Sequence, residues 1–116
     1  MFANDPLVLD LTMRSIQDET DKSLFLIYRT FLYMPLMHSE ERQIQELSLK
    51  YFGSLVEESK QKNTLNTHYY EYSLGYAKQH HDIVERFGRF PHRNVMLGRV
   101  STQEEKEFLQ KPGSSF

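Results

Sequence analysis

The stretch His68-Tyr-Tyr-Glu-Tyr-Ser-Leu-Gly-Tyr-Ala-Lys-Gln-His-His-Asp-Ile-Val-Glu-Arg-Phe-Gly88 decides the fold. Its ring-bearing and aliphatic side chains recur at three- and four-residue spacing. Tyr69, Tyr72, Tyr76, His80, Ile83 and Phe87 are therefore expected on one face of a helix running from about His68 to Phe87. Gly88 is its C-terminal stop. Working back, Asn66-Thr67 leads into this helix and Lys62-Asn63-Thr64 closes an earlier one. That earlier helix extends to about Gln61, with Ile44, Leu47, Tyr51, Leu55 and Val56 as its stripe, Phe52 alongside, and a cap in Ser39-Glu40-Glu41.

Further upstream, residues 24–37 form a helix that Pro35 is expected to interrupt or kink, because the proline ring opposes the preceding turn. Asp5-Pro6 starts the first helix, a capping carboxylate followed by a proline where its missing N–H costs nothing. Leu7, Leu11, Arg14 and Ile16 continue it, with Val8, Leu9 and Met13 widening the apolar face, and it fades over residues 17–22. Downstream, Ser101-Thr102-Gln103-Glu104 has the form of a capping box opening a short helix to about Gln110, which Pro112-Gly113 terminates. No segment alternates in the manner of a strand. The fold class is all-α, an array of about five antiparallel helices joined by short loops, in a single domain spanning 1–116.

Composition narrows the function classes. The 116 residues are 39% apolar and 26% charged with a net charge of −2, so no general attraction to nucleic acid or anionic membrane is expected. With no cysteine there are no disulfides, thiolate nucleophiles or Cys-based zinc sites, and a reducing, cytoplasmic setting fits. The apolar run 23–37 carries Arg29 and Pro35 and falls short of the roughly 20 residues a bilayer span needs. The first six residues lack the features of a signal peptide.

Residues 80–99 concentrate three histidines and four arginines among aromatics, one proline and two glycines. Within this segment Arg86-Phe87-Gly88-Arg89-Phe90-Pro91-His92-Arg93-Asn94, and upstream Phe31-Leu32-Tyr33-Met34-Pro35-Leu36-Met37-His38-Ser39-Glu40, resemble family 924 of the bacterial domains of unknown function. Tyr76-Ala77, His80, Asp82-Ile83, Leu97-Gly98-Arg99, Ser101-Thr102, Glu105 and Phe108-Leu109 match as well, so the resemblance runs from about Asp5 to Leu109. It implies a tetratricopeptide-like helical fold and no assigned activity. The resembled family usually carries a further N-terminal half with an Asp-Gln-Phe-Pro-Arg-Asn-like motif. Nothing here matches that motif, so the chain is expected to lack that half.

The candidate ligand-binding residues are His80, Arg86, Arg89, His92 and Arg93, with Tyr72 and Tyr76 as walls and Arg99 nearby. Arginine presents a planar fork of donors suited to carboxylate or phosphate. The competing structural reading has these arginines capping carbonyls, stacking on Phe87 and Phe90, or pairing with Asp82 and Glu85. His80 is either a core imidazole partnered by a tyrosine or a carbonyl, or a proton carrier facing the arginines. His81 and Glu85, one turn apart, can reach a common ion, with His38 and His92 as conceivable third ligands. No His-Glu-x-x-His or paired-carboxylate signature accompanies them, so no metal or other cofactor is expected. Ser39 beside His38 is explained as a cap, and the isolated glycines form no phosphate loop.

The first reading is a binding module whose Arg/His loop takes a small anionic ligand or a partner segment. The alternative is an enzyme acting on a small anionic substrate with a histidine as acid or base. Apolar faces around Leu7–Leu11 and Leu24–Leu36 point to a homodimer or a separate protein partner.

Overall fold

The computed structural model describes residues 5–62, 66–112 and 114. They form α1 (Asp5–Gln17), a 3-10 turn (Thr20–Ser23), α2 (Leu26–Met37), α3 (Arg42–Gln61), α4 (Thr67–Phe87), a second 3-10 turn (Pro91–Arg93) and α5 (Gln103–Leu109). There is no strand among the described residues. The fold is all-α. Each helix from α1 to α3 packs on its successor, so neighbours joined by short loops run in opposite directions. The caps expected of the Asp5 side chain, Asn63, Thr64 and Gly113 lie outside the described residues.

The main core joins Leu26, Tyr33, Leu36 and Met37 of α2 to Phe52, Leu55 and Val56 of α3 and to Tyr70 and Ala77 of α4. A second, smaller core of Ile83, Val84 and Phe90 packs against Phe87 and Phe108, placing α5 on the far end of α4. Close packing chose a different face of α4 from the one its tyrosines suggested. The buried positions are Tyr70, Ser73, Ala77, His80, Ile83 and Val84, whereas Tyr69, Tyr72 and Tyr76 are exposed. Small side chains at 73 and 77 admit α3 closely, and α3 answers with buried Ser48 and Ser59. The three phenols turn toward water, where their hydroxyls are solvated at no cost.

Other expectations also shift. Helix α2 continues through Pro35. Ser39 is not the cap of α3: that helix begins after Glu41, and the Ser39 hydroxyl accepts from the Glu41 amide at 3.2 Å. The capping box of α5 lies one residue later than expected. Thr102 Oγ1 accepts from the Glu105 amide (3.1 Å) and the Glu105 carboxylate accepts from the Thr102 amide (2.9 Å). Both registers satisfy the local pattern; the tertiary ion pair of Glu105 described below selects the later one.

Residues 17–22, read as polar fading, lead instead into a firmly tied turn. Glu19 takes a left-handed conformation (φ 59°), and the turn after it carries Asp21, 2% exposed, which accepts from Tyr33 OH at 2.5 Å. Arg29 completes the joint: it donates to Lys22 O (2.9 Å), Leu24 O (3.0 Å) and Glu58 Oε2 (2.6 Å). A guanidinium so placed satisfies two carbonyls of the turn and one buried-edge carboxylate at once.

Candidate functional site

Helix α4 ends where Gly88 adopts φ 75° and its amide donates to Val84 O at 2.7 Å, a conformation that glycine takes without strain. The chain then dives inward at Phe90, which is fully buried. The Phe90 amide donates to Glu40 Oε2 (2.6 Å), and Arg99 grips both oxygens of the same carboxylate at 2.9 and 3.0 Å. Arg99 also donates to Phe90 O and Asn94 Oδ1. Burial opposes charge on Glu40, but the hydrogen bonds from Arg99 and from Phe90 outweigh it and hold the carboxyl below its ordinary value. Glu40 is thus the post on which residues 90–99 are mounted against the α2–α3 joint.

Around Phe90 the structure gathers three imidazoles. The Phe90 ring centroid lies 5.5 Å from His80 and 5.8 Å from His92, and His38 lies 5.6 Å from His80. The Arg93 guanidinium stands 4.8 Å over the Phe90 ring. His80 is 4% exposed, and its Nδ1–H donates to Tyr76 O at 2.7 Å. Burial pushes the His80 pKa down to about 4, against the Tyr76 carbonyl and helped by His38, His92 and Arg93. His92 is lowered too, first by burial and then by Arg93. Burial therefore disfavours the charged form of the His80 and His92 rings beside the Arg93 guanidinium.

Arg86 and Arg89 face the other way. Arg86 stacks on Phe87 (4.6 Å) and donates twice to Glu104 Oε1 at 3.0 and 3.1 Å. Arg89 forms a bidentate pair with Glu105 (2.7 and 2.9 Å) and donates to Val100 O. Glu105 is 2% exposed, and the hydrogen bonds from Arg89 pull its pKa down to about 2 despite burial. These two arginines anchor α5. Tyr72 and Tyr76 stack edge-to-face on the exposed side of α4, hydroxyls 3.2 Å apart.

The structure therefore brings His80, His92 and Arg93 together and places Arg86, Arg89, Tyr72 and Tyr76 elsewhere. A groove of about 490 Å³ opens beside this cluster. Its apolar wall is Val8, Leu9, Phe31, Met34 and Pro35, and its polar end is His38, Ser39, Glu40, Glu41 and Arg93. Of the candidate ligand-binding residues Arg93 alone lines it, whereas Val8, Leu9, Phe31, Met34 and Pro35 fall in the two stretches expected to present apolar faces. Its polar residues His38, Ser39, Glu40 and Glu41 come from the joint between α2 and α3, which was not read as part of a ligand site although the Phe31–Glu40 stretch was itself one of the resemblance motifs.

On the opposite side of α4, His81 Nε2 lies 2.8 Å from Glu46 Oε1 of α3 and Nδ1 lies 3.6 Å from Asp82 Oδ1. The hydrogen bond to Glu46, ahead of burial, raises the His81 pKa. Glu85, one turn on, brings a third donor, and the ligating atoms of Glu46, His81 and Glu85 all lie within 4.8 Å of one another. The third donor beside His81 and Glu85 is thus Glu46, while His38 and His92 sit with His80.

A family model described as "Bacterial protein of unknown function (DUF924)" matches residues 1–113. None of the curated proteins matches the chain. A solved structure of a protein of unknown function from Agrobacterium tumefaciens, ATU0120, is similar with 34% identity and a TM-score of 0.71 over 95% of this chain. The chain spans 55% of that relative's length. With the family model matching nearly end to end and the helices superposing on a relative at this identity, the chain belongs to the bacterial family DUF924.

Proposed function

We propose that this chain is a tetratricopeptide-like, cytoplasmic binding module that seats a helical segment of polypeptide along α1–α2. The observation that carries the reading is the apolar surface there. Leu7, Leu11, Tyr28 and Phe31 are each more than half exposed, and this surface runs into the groove beside Phe31 and Met34. Exposed apolar surface of this extent marks an association site. The other end of the groove is polar, lined by His38, Ser39, Glu40, Glu41 and Arg93, and would meet the polar backbone at one end of the segment. The segment we favour is the part of the DUF924 relatives that lies outside the region matched here, since this chain spans 55% of ATU0120.

The arginine cluster supports a free anion site less well, because Arg86, Arg89 and Arg99 each hold a carboxylate of this chain. An enzymatic role for His80 is disfavoured by the commitment of its Nδ1 to Tyr76 O and by its burial. The test is co-expression of this chain, tagged, with the unmatched portion of ATU0120. We expect the two to co-purify, and Phe31→Asp to reduce recovery at least ~10-fold, about 1.4 kcal/mol of binding. Failure to co-purify, or recovery unchanged by Phe31→Asp, overturns the reading. So does a stable dimer of the chain alone that Phe31→Asp dissociates, which makes a second copy the occupant.

A further inference from the structure

We propose that Glu46, His81 and Glu85 form a binding site for a divalent first-row transition ion of the zinc type, clamping α3 to α4. One imidazole nitrogen and two carboxylate groups converge from two helices, with all three ligating atoms within 4.8 Å of one another. Ligands about 2.0–2.2 Å from a tetrahedral ion stand roughly 3.3 Å apart. The His81 Nε2 to Glu46 Oε1 separation of 2.8 Å is close to that figure. Insertion of the ion requires these two atoms to part by a few tenths of an ångström, while Glu85 closes in by a rotamer change. Glu46 and Glu85 are exposed and free to make these adjustments.

The His81 ring is the fixed element, its side chain 18% exposed between the helices. Behind it, Asp82 Oδ1 stands 3.6 Å from Nδ1, the ring nitrogen turned away from Glu46. At 3.6 Å this is a charge contact and not a hydrogen bond; a shorter approach by the exposed Asp82 side chain would orient the ring as a ligand. Three carboxylates, Glu46, Asp82 and Glu85, stand near a single histidine, with the Arg42 guanidinium at the Glu85 carbonyl (3.4 Å) as the neighbouring cation. A mixed nitrogen–oxygen donor set selects zinc, cobalt or nickel over magnesium and calcium, which prefer oxygen alone. An open fourth position would be filled by water.

Isothermal titration of the purified chain with Zn²⁺ in a non-chelating buffer tests the site, with Mg²⁺ as the contrasting ion. One Zn²⁺ should bind at micromolar concentration and raise the melting temperature. His81→Ala and Glu85→Gln should each weaken binding at least ~10-fold. His92→Ala, in the other imidazole cluster, should leave it unchanged. Glu85→Gln alters an exposed side chain only, so circular dichroism should show a fold equal to wild type. Zinc binding that survives both His81→Ala and Glu85→Gln, or that is lost in His92→Ala, overturns the assignment. Absence of binding at millimolar Zn²⁺ does so as well, leaving an ordinary His81–Glu46 ion pair.

Discussion

Acidification should destabilise this protein well before its carboxylates titrate, and His80 is the cause. In the unfolded chain the imidazole takes up its proton near pH 6.5, whereas in the folded state the buried ring waits until about pH 4. Between those values the unfolded state binds one more proton, so stability is full above pH 6.5 and falls as pH drops toward 4. Integrated from pH 7 to 4.5, one such group removes about 2 kcal/mol, a large share of a small domain's stability. His92 shifts the same way and adds to the slope, while His81, raised by Glu46, opposes it. Urea unfolding at pH 7.5, 6.0, 5.2 and 4.5 measures the effect. His80→Phe isolates it, because a phenyl ring suits the space beside His38 and Phe90 and cannot titrate. We expect wild type to lose roughly 1.4 kcal/mol per pH unit more than His80→Phe below pH 6. Parallel pH profiles for the two proteins would refute the reasoning.

Two further perturbations test the mounting of the loop and of α5. Glu105→Ala removes both the bidentate partner of Arg89 and half of the Thr102 capping box, and should cost about 2–3 kcal/mol, the value for breaking a buried pair reduced by the access of Arg89 to water. Amide exchange across 103–109 should accelerate more than across α3; uniform acceleration would mean that α5 is no separate unit. Glu40→Gln keeps an acceptor for the Phe90 amide but loses the charge that Arg99 grips, for about 1–2 kcal/mol in urea unfolding. Because the Glu40 carboxyl titrates below its ordinary value, its contribution is present above pH 4.5 and lost below it. The difference between Glu40→Gln and wild type should therefore shrink as pH falls through 4.

The helices were legible because much of their punctuation is local: Gly88 ends α4, Pro6 marks the start of α1, and a capping box opens α5, although it was read at Ser101–Glu104 and lies one residue later. The buried face of the first half of α4 was not, since Tyr69, Tyr72 and Tyr76 outweigh Ser73 and Ala77 on any hydrophobicity count, whereas His80 and Ile83 of the expected stripe are buried. What buried the small residues was the close approach of α3, which a single helix does not reveal. Polar core residues were invisible for the same reason. Gln45, 1% exposed, donates to Met37 O and Ser39 O and so closes the end of α2, a role fixed by the path of the preceding loop. Arg29 and Asp21 likewise owe their burial to partners elsewhere in the fold.

The arginine-rich loop shows how charge density along a chain differs from charge density in space. In sequence, Arg86, Arg89 and Arg99 stand together with few acids beside them. In the fold, their carboxylates come from 18, 16 and 59 residues away. Each guanidinium is spent on holding a segment in place, and burial disfavours the charged form of His80 and His92 near Phe90. Strong attraction for a free anion therefore has little remaining source there. The surface property that stays uncompensated is apolar: Leu7, Leu11, Tyr28 and Phe31 face outward from helices whose other faces are already packed. Burying such side chains contributes roughly 25 cal/mol per Å² of surface removed from water. This is why the binding surface we propose lies on α1–α2 and not on the arginines.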